Sequence, residues 1–246
     1  MKTFRADLHI HTVLSPCGDL EMSPINIIQK AKEKKLDIIG ITDHNSTRNS
    51  LLTRRLAEKE GITVFCGAEV TTKEEVHCLA FFETDEAIEE FQQFLEKQLP
   101  PVKNDVNRFG EQIVLDEDEN IIDEIPYLLI SGLHAGIDKV EEMVHKLNGI
   151  FIPAHIDRAY YSIQSQLGFV PPNLKADAFE ISRNAKPEEL LKELMIKEDA
   201  TFIKNSDAHY IEDVGRTYSE FYMEEPSFKE FRMALAGINE RSVKIQ

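Results

Sequence analysis

Asp7-Leu8-His9-Ile10-His11-Thr12 puts two imidazoles two residues apart at the end of an apolar run. Residues i and i+2 of a strand face the same way, so His9 and His11 can reach one cation. Alone the pair is a weak signal, because His-x-His arises by chance. Repetition along the chain gives it weight. Ile38-Ile39-Gly40-Ile41 ends in Thr42-Asp43-His44-Asn45, and Ile62 to Ala68 ends in Glu69. Phe151-Ile152-Pro153-Ala154 ends in His155-Ile156-Asp157-Arg158, and Asn205-Ser206-Asp207-Ala208-His209 repeats the two-residue spacing with a carboxylate and an imidazole.

A carboxylate buried behind a run such as Ile62 to Ala68 is costly unless a cation or a donor compensates it. Taken singly, Glu69 reads equally as a capping or salt-bridged residue, and His77 as a half-buried core histidine. Only seven residues separate His77 from Glu69, too few for a parallel crossover of roughly a dozen. The chain must therefore turn straight back and bring His77 to the same rim as Glu69. A shared cluster of divalent ions accounts for all these groups at once.

The elements that must position them alternate, short β-branched runs with segments of helical period. Strands are expected at Phe4 to His9, Asp37 to Thr42, Ile62 to Val70, Val76 to Phe82, Ile150 to His155, Ala178 to Ser182, Thr201 to Asn205 and Thr217 to Met223. Helices are expected at Pro24 to Lys35, Ser50 to Glu60, Asp85 to Leu99, Ile137 to Leu147, Pro187 to Lys197 and Ser227 to Ala236. The polar groups then collect at the carboxyl ends of buried strands, the rim where barrel active sites lie. From Pro100-Pro101 to about Gly136 the pattern breaks, and Val114-Leu115 and Ile121-Ile122 flank the acidic turn Asp116 to Asn120. That stretch reads as an inserted hairpin, either a lid over the active face or a surface decoration.

A length of 246 residues and 42% hydrophobic content suit a globular domain with a real core. Neither a signal peptide nor a membrane-spanning run is legible, and Cys17, Cys66 and Cys78 are an odd number without zinc-finger spacing. Both observations point to a cytoplasmic protein with no membrane partner. The net charge of −16 argues against binding duplex nucleic acid through the general surface.

The motifs resemble the polymerase and histidinol phosphatase (PHP) superfamily, in its branch of stand-alone metal-dependent phosphoesterases. The resemblance runs in order through Asp7-Leu8-His9-Ile10-His11-Thr12, Gly40-Ile41-Thr42-Asp43-His44, Gly67-Ala68-Glu69, Val76-His77, Ala154-His155 and Ser206-Asp207-Ala208-His209. It implies one α/β domain over residues 1–246, a distorted (β/α)7 TIM-like barrel carrying the 100–136 insertion. It further implies two or three divalent ions, zinc, manganese or iron. His9, His11, Glu69 and Asp207 would hold the first. Glu69 would bridge to a second on His77 and His155, and a third would take His44, His209 and Asp19. Where family members often have Ser-x-Asp-Gly, this chain has Ser15-Pro16-Cys17-Gly18-Asp19, so Cys17 is an alternative ligand to Asp19.

Asp7 and Asp43 are expected to orient imidazoles from behind, and Asp43, Arg158 and His209 to serve catalysis. Arg158 and Arg183 would grip phosphate through paired guanidinium donors; His134 and His145 are expected to be non-catalytic. The implied reaction is attack of a metal-bridging hydroxide on a small phosphorylated substrate. A nucleoside monophosphate or 3′,5′-bisphosphate is favoured, with histidinol phosphate as an alternative. A catalytically silent, metal-binding regulatory module is the rival from another class, and an amidohydrolase-like enzyme a third. The sequence leaves the oligomeric state open.

Overall fold

The computed structural model describes residues 1–245. From the N-terminus, β1 (Lys2–Ile10) leads through α1 (Pro24–Glu33), β2 (Ile38–Ile41) and α2 (Arg48–Glu58) to β3 (Thr63–Thr71) and β4 (His77–Phe82). Then come α3 (Asp85–Gln98), the single turn α4 (Val106–Phe109), the pair β5 (Ile113–Leu115) and β6 (Ile121–Glu124), and α5 (Ile137–Lys146). The chain continues with β7 (Ile150–Pro153), α6 (Ile163–Gln166), β8 (Phe179–Glu180), α7 (Pro187–Glu193) and β9 (Phe202–Ile203). It ends with β10 (Ser219–Met223), α8 (Phe228–Leu235) and β11 (Ser242–Ile245).

Local chemistry sets several boundaries. Ser23 caps α1 by accepting from the Asn26 amide, ahead of a first-turn Pro24 whose missing N–H costs nothing there. Thr84 caps α3 the same way, with Asp85 and Glu86 at the positive end of the helix dipole. Every residue of β2 is buried, in keeping with its unbroken apolar sequence at the middle of the sheet.

Seven strands form one curled sheet in the order β11-β10-β1-β2-β3-β4-β7. The α1 and α2 crossovers make β1, β2 and β3 parallel. β4 runs antiparallel to β3, with Thr71 opposite His77 and Glu69 opposite Leu79. That is the direct return forced by the short Glu69–His77 spacing. The mixed α/β barrel expectation holds, as a half-barrel whose β8–β9 pair forms a separate parallel ribbon. Main-chain bonds tie that ribbon in. Ile156 N donates to Glu180 O at 2.9 Å, and His11 N donates to Ala208 O at 3.0 Å. The segment after β9 is thereby drawn against the end of β1.

The sheet buries apolar side chains on both faces. One layer joins Ala6, Leu8, Ile38, Phe65, Leu79, Phe81, Ile150 and Ile152 to Phe228 and Phe231 of α8. The other packs Ile39, Ile41, Val64, Cys66, Ala68, Cys78 and Ala80 under α1, α2 and α3. Period two then fixes where the polar ends point. Glu69 continues the face of Phe65 and Gly67, and His77 that of Leu79 and Phe81.

β5 and β6 form an antiparallel hairpin within the 100–136 segment. Val114 and Leu129 pack on Leu14, while Asn49 Nδ2 donates to Ile113 O at 3.0 Å and Asn45 Nδ2 donates to Ser131 O at 2.9 Å. The insertion is therefore bound to the loops that follow β1 and β2. Among the described residues no helix is long and apolar enough to cross a membrane.

Candidate metal centre

Glu69 is the hub. Its Oε1 lies 2.8 Å from His77 Nδ1, 3.2 Å from His9 Nε2 and 3.2 Å from His155 Nε2. Its Oε2 lies 3.0 Å from His44 Nδ1 and 3.4 Å from His11 Nε2. Asp207 Oδ1 meets the same two strand-end imidazoles, 3.2 Å from His9 Nε2 and 3.3 Å from His11 Nε2. His209 stacks on His11 with ring centroids 4.1 Å apart. The ends of β1, β2, β4 and β7 thus converge on the one carboxylate of β3, and the segment after β9 closes on the β1 imidazoles.

The polar accounting shows what these side chains lack. His9 Nε2, His11 Nε2, His44 Nδ1, His155 Nδ1 and Asp207 Oδ1 are buried and have no hydrogen-bond partner among the described residues. Buried polar atoms in a native protein are ordinarily satisfied, so the orphaned His9 Nε2, His11 Nε2 and His44 Nδ1, which face Glu69, and Asp207 Oδ1, which faces the first two, fit cations of the borderline type that imidazole and carboxylate ligate. Three groups of donors lie within 4.8 Å of one another: His9, His11, Glu69 and Asp207; His44, Glu69 and His77; and His11, His44 and His209.

Electrostatics agree. Burial raises the Glu69 carboxyl, but His77, His9 and His44 outweigh it and hold it well below the usual carboxylate range. Asp207, raised by burial, is pulled down in turn chiefly by His9 and His11. Burial depresses His9, yet Glu180, Asp207 and Glu69 lift it well above its ordinary value. His11 is pushed well below by burial and by the neighbouring His209 and His44. The backbone is strained in the same place, with φ of 45° at Asn45, 28° at His155 and 53° at Asp207, none of them glycine.

Not every anticipated residue reaches the cluster. The Asp19 carboxylate accepts the Glu21 amide at 2.8 Å and belongs to none of the three donor groups. Asp43 accepts from Thr12 N, Thr12 Oγ1 and Ser15 Oγ at 2.7–2.8 Å, so it fixes the loop beyond His11 and does not touch an imidazole. Asp7 accepts from Ser206 N, Ser206 Oγ and Gly215 N, holding the loop that carries Asp207 and His209. Arg158 pairs with Asp207 at the mouth. Arg183 lines a neighbouring cavity with Arg158 and Arg216. His134 is exposed, and His145 pairs with Glu141 and Asp177.

Three participants went unassigned in the sequence. Glu180 accepts from His9 Nδ1 at 3.0 Å, Ser15 Oγ meets His11 Nδ1 at 2.9 Å, and Tyr161 stacks on His77 at 4.7 Å. Glu180 carried a usable signal, a carboxylate inside the apolar run Ala178-Phe179-Glu180-Ile181, the same pattern that marks Glu69. Burial lifts its carboxyl, and His9 outweighs that and keeps it low, so it is ionised and accepts the His9 proton. Cys17 is in polar contact with His44 and His209, which offset the upward push of burial and bring its thiol to about 6.

A cavity of about 420 Å³ opens over the cluster, lined by His44, His77, His155, Arg158, Tyr160, Tyr161 and His209.

Comparison with known proteins places this arrangement. Residues 7–208 match the PHP domain and residues 183–237 the PHP-associated domain. The chain is 24% identical to protein YqxK of Bacillus subtilis (strain 168), across 99% of this chain and 64% of that one. Its fold is shared with the lesion-specific endonuclease PfuEndoQ from Pyrococcus furiosus, at 21% identity and TM-score 0.72 over 98% of this chain and 58% of the other. A putative metal-dependent phosphoesterase from Bifidobacterium adolescentis, 20% identical, aligns at TM-score 0.57 over 83% of this chain and 87% of its own. The chain therefore spans under two thirds of YqxK and of PfuEndoQ.

One expectation is corrected. A structure of endonuclease Q with the same fold, TM-score 0.69 and 23% identity over 98% of this chain and 58% of that one, contains a 27-mer duplex substrate with an abasic lesion at the active site. The exclusion of duplex nucleic acid drawn from the charge of −16 does not stand. Net charge sums the whole surface, whereas phosphate contacts are local, and here Arg158, Arg183 and Arg216 gather beside the cluster. With its matched residues covering most of the chain and its histidines and carboxylates converging on Glu69, the chain belongs to the PHP domain family.

Proposed function

We propose that the chain hydrolyses a phosphomonoester of a nucleotide, a nucleoside monophosphate or 3′,5′-bisphosphate, on a centre of two or three divalent ions. The ligands would be His9, His11, His44, Glu69, His77, His155, Asp207 and His209. The observation that carries the reading is the set of orphaned, buried imidazole nitrogens aimed at Glu69 and Asp207. When bound, such ions lower the pKa of water and neutralise charge gathering on phosphoryl oxygens. The chain's own residues do the rest. Arg158, at the mouth, offers paired donors to phosphate oxygens once it leaves Asp207. Tyr160, 76% exposed on the cavity wall, offers a face for a base. Glu180 and Ser15 hold the His9 and His11 rings so that each presents Nε2 inward.

A second reading, cleavage of a phosphodiester in a DNA strand, is favoured by the endonuclease Q likeness and by the arginine-lined cavity adjoining the first. One assay separates the two. Metal-free protein reloaded with manganese or zinc is offered an aryl phosphate, nucleoside monophosphates, 3′,5′-bisphosphates and a duplex with an abasic site. Release of inorganic phosphate supports the first reading and strand scission the second. Activity that survives chelation, or that is undiminished in His9→Ala and Asp207→Ala, overturns both.

A further inference from the structure

Asn45 stands between the strand-end ligands and the 100–136 insertion. It is buried, and its backbone sits at φ of 45°, a left-handed conformation that asparagine tolerates better than most residues with a side chain. Beside it His44 pairs with Glu69 as an isolated parallel bridge, in which Glu69 N donates to Asp43 O at 3.0 Å and Asn45 N donates to Glu69 O at 2.9 Å. In a continuing parallel ladder the next donor of β3, Thr71 N, would meet the main-chain oxygen of residue 45. The left-handed turn points the chain elsewhere, and the side chain substitutes for that oxygen, with Oδ1 accepting from Thr71 N at 3.1 Å. One amide thus ends the bridge that sets His44 against Glu69.

The other half of the same amide reaches the insertion. Asn45 Nδ2 donates to Leu129 O at 2.6 Å and to Ser131 O at 2.9 Å, so both of its protons are used and its partners fix which way the group faces. The insertion is braced where it is gripped. Buried Gln112 donates Nε2 to Ile125 O at 2.7 Å and to Tyr127 O at 2.8 Å, and its Oε1 accepts from Leu129 N at 2.8 Å. Leu133 N then returns to Thr71 O at 2.9 Å. A lid would have to break these bonds at every opening.

We propose that Asn45 is a positioning residue of the metal centre, and that the 100–136 insertion is a buttress acting through it, fixing the His44–Glu69 pair and not gating access to it. The inference rests on the metal-centre reading above. The Asn45 side chain is spent on main-chain groups, so it acts through His44 and Glu69 and not on an ion itself. What it sets is the relation of His44 Nδ1 to Glu69 Oε2, 3.0 Å apart. Donors spaced in advance lose little on reorganising around an ion, so loosening the strut weakens metal at His44, Glu69 and His77.

Zinc is the probe, added to the whole chain after chelation. Affinity is read by competition with a chromophoric chelator, and thermal melts are run on the metal-free and loaded forms. Asn45→Gly keeps the left-handed backbone and removes both arms of the amide. It is expected to weaken zinc roughly 10-fold and to shrink the rise in Tm that zinc gives the wild type. Gln112→Met, which keeps the volume inside the insertion and removes its bonds to Ile125, Tyr127 and Leu129, is expected to weaken zinc in the same direction. The double variant is expected to bind no more weakly than Asn45→Gly, because both changes act along one path. A lower metal-free Tm with unchanged zinc affinity in Asn45→Gly overturns the positioning role and leaves the centre standing. Losses that add in the double variant overturn the route through the insertion. Should Asn45→Gly not fold, Gln112→Met decides alone, and unchanged zinc affinity there overturns the proposal. Failure of wild type to bind zinc at all overturns the metal-centre reading with it.

Discussion

Glu180 holds His9 from behind. Its Oε2 accepts from His9 Nδ1 at 3.0 Å and from the His155 backbone amide at 2.9 Å, and its Oε1 accepts from Asn205 Nδ2 at 2.9 Å. One buried carboxylate from β8 therefore sets the ring of β1, the loop after β7 and the loop after β9. Such outer partners raise the basicity of a ligating imidazole and fix its tautomer. Glu180→Ala is expected to weaken metal affinity by roughly 10- to 100-fold, measured by competition with a chromophoric chelator. Glu180→Gln, which keeps an acceptor oxygen, is expected to lose less.

Arg158 is the residue proposed to meet the substrate's phosphate. Pairing with Asp207 keeps its guanidinium at the mouth, and on the proposed reading a phosphate dianion would compete for the same donors. Arg158→Ala is expected to raise KM about 10-fold or more, the worth of one charge-assisted contact. A smaller change in kcat is expected alongside it. Arg158→Lys should recover part of the charge and none of the paired geometry. Steady-state kinetics on whichever substrate the panel identifies reads both.

His145 gives a pH dependence away from the metal ligands. In the last turn of α5 it meets Asp177 at 3.0 Å and Glu141 at 2.7 Å. The contact with Asp177 raises its pKa above 6.5, opposed by partial burial and helped by Glu141. A raised folded-state value means that the stability it contributes is fully present below 6.5 and is lost as pH rises through the folded value. Thermal melts of wild type and His145→Ala are expected to differ by about 1 kcal/mol near pH 6 and to converge near pH 9. A difference that grows with pH would contradict the assignment.

Gly67 and Gly61 should respond in opposite proportion to their backbone angles. Gly61 has φ of +74° but open space around a built Cβ, so alanine there is expected to cost about 1 kcal/mol. At Gly67 a Cβ would lie 2.0 Å from Ala80 O and 2.9 Å from the Phe81 ring. β3 and β4 must separate to admit it, and Gly67→Ala is expected to cost about 2–4 kcal/mol. Denaturant unfolding of the two variants gives the comparison.

Much of this site could be read from short stretches of chain. The strands ending in His9, His44, Glu69, His155 and Asp207 show as apolar runs stopped by ligand-type residues, because period and burial are local properties of a strand. The return from Glu69 to His77 followed from chain length alone, since seven residues leave room for a turn and none for a crossover helix. Asp7 and Asp43 were expected to orient imidazoles, and the structure gives them other contacts. Each serves a loop backbone, and only the position of Ser206, Gly215, Thr12 and Ser15 decides that.

The amino-acid sequence by itself determined the α/β class, the insertion and the donors at the strand ends, because alternation and apolar runs write a strand's direction and termini into consecutive residues. Tertiary structure alone decided that the Ser15–Asp19 turn closes on the backbone of His209, and that Glu180 stands behind His9. Those choices hang on hydrogen bonds between residues far apart in the chain, Asp19 to His209 and His9 to Glu180. Such bonds exist only once the half-barrel has curled its ends together.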